Sequence, residues 1–494
     1  MKANEPVKRC AHEAFCVAWQ FIDWDRIYKE VKSLQQRIVK AIKEGRHNKV
    51  KSLQWLLTHS LSAKLLAVKR VTENAGKNTA GVDGVVWNTP LQKLNAAKSL
   101  TRKGYKAKPL KRVYIPKKNG KKRPLGIPTM YDRAIQALYL MALDPVSETT
   151  ADNCSYGFRP KRGCADAIAR CFIHLSTRHS AKWILEGDIR GCFDHISHQW
   201  MLENIPMDKM VLKQWLIAGF VDNRRLFPTE EGTPQGGIIS PILANMVLDG
   251  LEQAINNATG INFNKDGKKT NNMHKIHLVR YADDFIVTGA NKEILQDRIK
   301  PIIESILAQR GLTLSQEKTR ITNIIEGFNF LGQSIRRYEN GTLLIKPSKD
   351  SFKSIKAKIK KVVNRNRASD PVELIRQLNP VIRGWCNYHR HISAKKHFCK
   401  LDAYVWTTIW RWAVRRHRNK SSAWVKVKYF KSDAYSNWIF FGVDKKSKII
   451  KLVKACQINI LRHRLIKGKA NPYDPDWDKY FYARWKLREA KLSR

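Results

Sequence analysis

Acidic residues are scarce in this chain. Across 494 residues, 42 Asp and Glu face 92 Lys and Arg, a formal net charge of +50. Such an imbalance calls for a polyanionic partner, whose phosphates release condensed counterions when they are neutralised. Long apolar runs are also missing. None reaches 18 residues, which argues against a transmembrane helix. The basic residues are spread along the whole sequence, not gathered in a juxtamembrane cluster or one amphipathic helix, so no membrane partner is expected. The opening residues, MKANEPVKRCAHEAFCVAW, lack the apolar stretch of a secretory signal. Nine cysteines are present without a single C-x-x-C pair, which argues against zinc ribbons and a disulfide framework. A reduced, cytoplasmic setting is expected.

What is present changes character along the chain. Residues 20–75 place apolar side chains three and four apart with Lys and Arg between them, and read as helices. RVYIPKKNGKKRPLGIP (112–128) reads as a β-hairpin turning at Asn-Gly. A helix over about 131–143 is predicted next, then a buried strand over KWILEGDI (182–189). GTPQGGIISPILANMVLDGLEQAI (232–255) reads as a Gly/Pro turn leading into a helix, and 261–275 as a polar surface loop. In SFKSIKAKIKKVV (351–363), Phe352, Ile355, Ile359 and Val362 share one helical face. Eight of the 15 Trp follow residue 384, and residues 411–430 hold seven Lys or Arg and no acid. Helical spacing makes Phe398, Trp406 and Trp410 core residues, and His389 and His391 are surface or core residues, not metal ligands.

One short stretch resists the basic background. HLVRYADDFIVTG (277–289) sets Asp283 and Asp284 side by side between two apolar strands. Two ionised carboxylates ~4 Å apart repel by roughly 4 kcal/mol at an effective dielectric near 20. Either one holds a proton or divalent cations sit between them. A third acid, Asp188, ends the strand in EGDIRGCFD. Carboxylates from two strand ends suggest a shared site for Mg²⁺, an ion that prefers oxygen ligands. Paired ions suit in-line displacement at phosphorus, so nucleic acid is the expected substrate.

Tyr281-Ala282-Asp283-Asp284 resembles the active-site signature of reverse transcriptases. Other blocks agree in order: EGDIRGCFDHI (186–196), GTPQGGIISPILANMVLD (232–249), GLTLSQEKTRI (311–321) and FNFLGQSI (328–335). SYGFRPKRGC (155–164) and IPKKNGKKRPLGIPTMYDR (115–133) are similar to the bacterial group II intron type, and 379–417 to its maturase, or X, domain. The resemblance covers roughly 50–485. It implies an α+β chain: a right-hand polymerase with fingers and palm, an α-helical thumb/X (maturase) domain and a basic C-terminal DNA-binding region. The expected divisions are an N-terminal basic helical extension at 1–75, fingers and palm at 76–340, thumb/X at 345–425, and DNA-binding residues at 426–494. The tail, 471–494, resembles the lead-in to an HNH endonuclease domain, and no second-strand nicking is expected of these residues.

By resemblance, Asp188, Asp283 and Asp284 are the catalytic metal ligands. Phe193 lies beneath the sugar and excludes a 2′-hydroxyl, Gln235 lies near the new base pair, Lys117 and Arg123 reach the triphosphate, and Lys318 protonates the leaving pyrophosphate. Lys64, Lys69, Arg70, Lys353, Lys360, Arg411, Arg415 and Arg416 are candidates for RNA contact. The implied partners are group II intron RNA in a lariat ribonucleoprotein, a DNA target and primer strand, and dNTPs, in a bacterial, nucleoid-associated setting. Two other readings share many of these features. One is a maturase that only folds RNA, against which the intact acids and Pro234-Gln235-Gly236-Gly237 speak. The other is a retron-type reverse transcriptase, which lacks the counterpart of 345–494.

Overall fold

The computed structural model describes residues 19–116, 120, 122–233, 235–263, 269–433 and 436–492. It separates into two compact units that interleave in sequence: residues 1–163, 185–321 and 466–494 form one, and 164–184 with 322–465 the other.

In the first unit, helices Trp24–Lys43, His47–His59 and Leu61–Glu73 pack around the long helix Met130–Thr150. Their buried stripes run through Ile27, Val31 and Ile38, through Val50, Leu53 and Leu57, and through Leu65, Val68 and Val71. Within the helical reading of 20–75, the stretch KSLQWLLTHSLSAKLLAVKRVTE (51–73) is broken at Ser60. There the backbone turns extended, and the Ser60 hydroxyl accepts from Ala63 N at 3.2 Å.

The expected helix over 131–143 continues to Thr150, through Pro145. Proline cannot donate to the carbonyl four residues earlier. That carbonyl, Met141 O, instead accepts from the Gln35 amide at 2.8 Å, which compensates the missing bond. The neighbouring Ala142 O accepts from Gln54 at 3.3 Å.

The expected hairpin is present as Leu110–Pro116 paired antiparallel with Lys122–Ile127, extended by Phe220–Asp222 and Arg225–Phe227 into a four-stranded sheet. A second four-stranded sheet carries the acids, in the order Arg320–Asn323, Trp183–Asp188, Asp284–Gly289, His277–Tyr281. The helix read over 232–255 is two helices, Ser240–Leu248 and Leu251–Ala258. They are divided at Gly250 (φ +91°), whose N–H donates to the Asp152 carboxylate at 3.1 Å. In the 261–275 loop the described residues include a two-residue strand pair, Asn262–Phe263 with Lys269–Thr270.

The second unit holds the three-stranded sheet Phe328–Phe330, Gln333–Arg337, Leu343–Pro347 and the helices Lys349–Arg365, Pro371–His389 and Lys395–Arg416. On the first of these helices the buried line is Ile355, Ile359 and Val363, with Val362 and Phe352 only half-buried. A spacing of four keeps that line on one face. Phe398 is fully buried, as read. Trp406 is not: it is 40% exposed and lies parallel to Trp410 at the edge of a cluster with Trp438 and Phe430. His389 is a core residue, bonded to Ser351 Oγ at 3.0 Å.

Within the basic region expected after residue 425, Phe430–Asp433, Ser436–Val443 and Ile449–Lys451 form a sheet. Residues 466–494, expected to belong with 426–465, cluster with the first unit. Tyr473 donates to Asp144 Oδ2 at 2.6 Å, Asn471 to Thr149 Oγ1 at 3.0 Å, and Lys43 pairs with Asp474 at 2.6 Å.

Candidate active site

The three acids meet because two neighbouring strands end and begin together. Asp188 closes Trp183–Asp188, and Asp284 opens the adjacent strand Asp284–Gly289. Gly187 makes that proximity possible. A Cβ there would fall 2.2 Å from the Phe285 ring, which lies across the neighbouring strand in its place. Tyr281 pairs with Asp284, leaving Ala282 and Asp283 as a two-residue turn. Ala282 takes φ +57°, a left-handed conformation that costs an L-residue roughly 1–2 kcal/mol.

The turn is braced from behind. Gly157 packs so closely that a Cβ there would stand 2.3 Å from Ala282 N. Tyr156 N donates to Arg280 O at 2.9 Å, and Arg280 N to Cys154 O at 3.0 Å, so the segment 154–157 borders the strand His277–Tyr281. The Asn245 amide donates to Gly157 O at 2.8 Å. Arg280 itself is fully buried, and its guanidinium bonds to Asn245 Oδ1 at 3.3 Å and ion-pairs with Asp249.

The electrostatics bear out the expected repulsion. Asp284 is exposed to solvent on one side. Partial desolvation, followed by the charges of Asp283 and Asp188, lifts it to about 6, and a hydrogen bond with Asp188 favours its protonated form. Desolvation also raises Asp283, with Asp188 adding to the rise and Arg123 and Lys318 opposing it. Lys318 supplies the local counter-charge. Ser315 N donates to Asp188 O at 2.8 Å, which seats the following turn so that Lys318 Nζ lies 2.7 Å from Asp188 Oδ2. That bond is the main reason the Lys318 ammonium is held above its usual range. Among the described residues no group of three or more His, Cys, Asp or Glu is already closed around a metal-sized space. The donor set is nonetheless all carboxylate oxygen, the chemistry a hard divalent ion requires.

Other candidates surround the acids. Phe193 is half-buried, edge-on to Phe158 at 6.3 Å. Gln235 donates its amide to Asp194 at 3.3 Å, and its carbonyl accepts from Gly126 N at 2.7 Å, which ties the loop to the hairpin strand bearing Arg123. Arg123 is exposed; Lys117 lies outside the described residues. The RNA-contact candidates divide. Arg70, Lys353, Lys360, Arg411 and Arg415 are exposed. Lys64 is half-buried. Lys69 lies over the Trp24 ring at 3.9 Å, and Arg416 donates to Ser369 O at 2.5 Å, so both already have partners. Sequence reasoning missed Gly157, Asn245, Arg280, Asp249 and Asp194. An arginine inside the apolar run HLVRY, in need of a counter-ion, was the one visible signal.

Residues 115–335 match the reverse transcriptase (RNA-dependent DNA polymerase) family, 19–100 the N-terminal domain of reverse transcriptase, and 352–430 the group II intron maturase-specific domain. Protein YkfC of Escherichia coli is 33% identical over 55% of this chain and 80% of its own length. The chain belongs to the group II intron reverse transcriptase–maturase family. Group II intron-encoded protein LtrA of Lactococcus lactis is 29% identical over 66% of this reverse transcriptase–maturase and 68% of LtrA. An uncharacterized 91 kDa protein in the cob intron of Schizosaccharomyces pombe is 26% identical over 78% of the chain and 53% of that protein. This reverse transcriptase–maturase is therefore an RNA-directed DNA polymerase of a kind that uses divalent metal, and a binder of intron RNA. Among its described residues no helix is long and apolar enough to cross a membrane.

Proposed function

We propose that the protein extends a primer 3′-hydroxyl with dNMP units from dNTPs by a two-metal mechanism in which Asp188, Asp283 and Asp284 hold Mg²⁺. The observation that carries this is the meeting of carboxylates at the ends of neighbouring strands, whose mutual repulsion is opposed by Lys318 and, at Asp283, also by Arg123. Bound divalent ions would lower the pKa of the attacking hydroxyl and steady the leaving oxygen. For the acids to take them, Lys318 must give up Asp188. Once released, its ammonium is free to donate a proton to departing pyrophosphate. Phe193 restricts the space beneath the sugar, Gln235 faces the nascent pair, and Arg123 with Lys117 meets the triphosphate as a fork and a point charge.

The same protein binds its intron RNA through exposed Lys and Arg of both units, among them Arg70, Lys353, Lys360, Arg411 and Arg415. It supports splicing, and in the lariat ribonucleoprotein it copies inserted intron RNA into cDNA at a DNA target, the retrohoming step. Primer extension on poly(rA) with dTTP and Mg²⁺ tests the polymerase reading, with Asp283→Ala as the control. Equal incorporation by that variant would remove the assigned metal site. Splicing of a cognate intron that is indifferent to added protein would remove the maturase role.

A further inference from the structure

Two stretches far apart in sequence are joined beside the acids. On one side are Phe193–His198, directly after the strand that ends in Asp188. On the other are residues 231–233 and 235. Thr233 N donates to Phe193 O at 2.7 Å and Gly232 N to Ile196 O at 2.8 Å. Gly232, at φ +83°, leaves no room for a Cβ, which would meet Asp194 O at 2.5 Å. His195 Nδ1 pairs with Glu231 Oε1 at 2.7 Å, and His198 Nε2 with Gly232 O at 2.7 Å. The last link is the Asp194 carboxylate, which accepts from Gln235 Nε2 at 3.3 and 3.4 Å.

We propose that Asp194 is a positioning residue for the incoming nucleotide: it fixes which end of the Gln235 amide the site presents. This rests on the reading of Gln235 and Phe193 as nucleotide-facing residues. The chemistry follows from the partners. An ionised carboxylate only accepts hydrogen bonds, so it selects the NH₂ end of the amide and turns Oε1 away from itself. An unrestrained glutamine amide exposes either end with little preference. The backbone bonds from Gly232 and Thr233 set the distance between Phe193 and the loop, and Asp194 adds the orientation of the Gln235 side chain. Phe193 and Gln235 thus form one rigid reading surface, with Asp194 between them in sequence and space.

The test is a double-mutant cycle in steady-state dTTP incorporation on poly(rA) with an oligo(dT) primer. Asp194→Ala is expected to raise KM for dTTP about fivefold, the effect of one modest hydrogen bond, with kcat changed less than about twofold. In a Gln235→Ala background the same substitution is expected to change KM by less than about 1.5-fold, because the amide it orients is gone. Asp194→Asn keeps the shape but can also donate to Oε1, so it should resemble Asp194→Ala in KM while unfolding at the wild-type temperature. Should Asp194→Ala fail to fold, the cycle with Asp194→Asn is read by the same criterion. An unchanged KM, or an equal factor in both backgrounds, overturns the assignment. An active wild type indifferent to Asp194 defeats this inference alone, whereas a wild type that extends no primer overturns it together with the reading of the site.

Discussion

The two units handle charge in opposite ways. The polymerase unit buries it. Arg280 is sealed three residues before Asp283 with Asp249 as its counter-ion, and Arg159 is buried against Glu148 at 2.7 Å. The maturase unit buries Arg337 and Asp166, but its basic C-terminal stretch keeps charge outside. From residue 401 to 465 it has 15 Lys and Arg against three Asp and no Glu, yet among the described residues of that stretch none of the Lys or Arg is buried. Two of its histidines are held neutral: desolvation pushes the buried His389 down to about 3 and the half-buried His391 to about 4. A buried charge fixes geometry at one place and fails if its partner is lost. Exposed charges are individually dispensable and act in sum.

That contrast makes unequal demands on single substitutions. The largest effect belongs to Asp283→Ala, which should reduce primer extension ~10³-fold or more while leaving intron RNA affinity unchanged. Arg280→Met strands Asp249 in the interior and should cost roughly 3–5 kcal/mol in chemical unfolding of the polymerase unit. Adding Asp249→Asn should recover part of the loss, and no recovery would mean that the ion pair is not what holds the strand.

In the maturase unit, Arg411→Ala or Lys360→Ala alone should weaken RNA binding only about two- to threefold. Each should lower the slope of log affinity against log salt by about one unit or less. A single substitution that abolished binding would erase the contrast between the units.

The smallest effect separates charge from chemistry at the acid turn. Asp284 has a folded pKa raised to about 6, so the folded state binds its proton more tightly than the unfolded state. Stability is then lost as pH rises from the unfolded carboxylate value through about 6, and Asp284→Asn removes that loss. Because Asp284 is exposed, solvent screens much of the shift. The metal-free variant should melt about 1–2 °C above wild type at pH 8 and no higher at pH 4, by calorimetry. An equal change at both values would show that packing, not repulsion, is responsible.

Much of this was legible in the residues. The apolar runs on either side of Asp283 and Asp284 gave the two strands, and EGD gave the strand end that meets them. The like-charge argument anticipated the raised acids. What escaped were properties set by distant partners. No local pattern tells that Gln35 will satisfy Met141 and let a helix run through Pro145. Gly157 reads as a turn residue until its backbone is found against Ala282. Trp406 follows core spacing, yet its helix presents it at an edge, because the spacing of apolar residues does not say where the covering layer ends. The membership of 466–494 depends on Tyr473 finding Asp144, a contact that spans most of the chain.

That last contact bears on how the molecule is made. A ribosome releases 322–465 before 466–477, so the maturase unit has all its parts while the polymerase unit still waits for the staple formed by Tyr473, Asn471 and Asp474. At ~5–20 residues per second the wait is brief, but through it Asp144 and Thr149 of the helix Met130–Thr150 lack these partners. Translation thus completes the unit that carries the maturase-specific domain before the unit that carries the three acids.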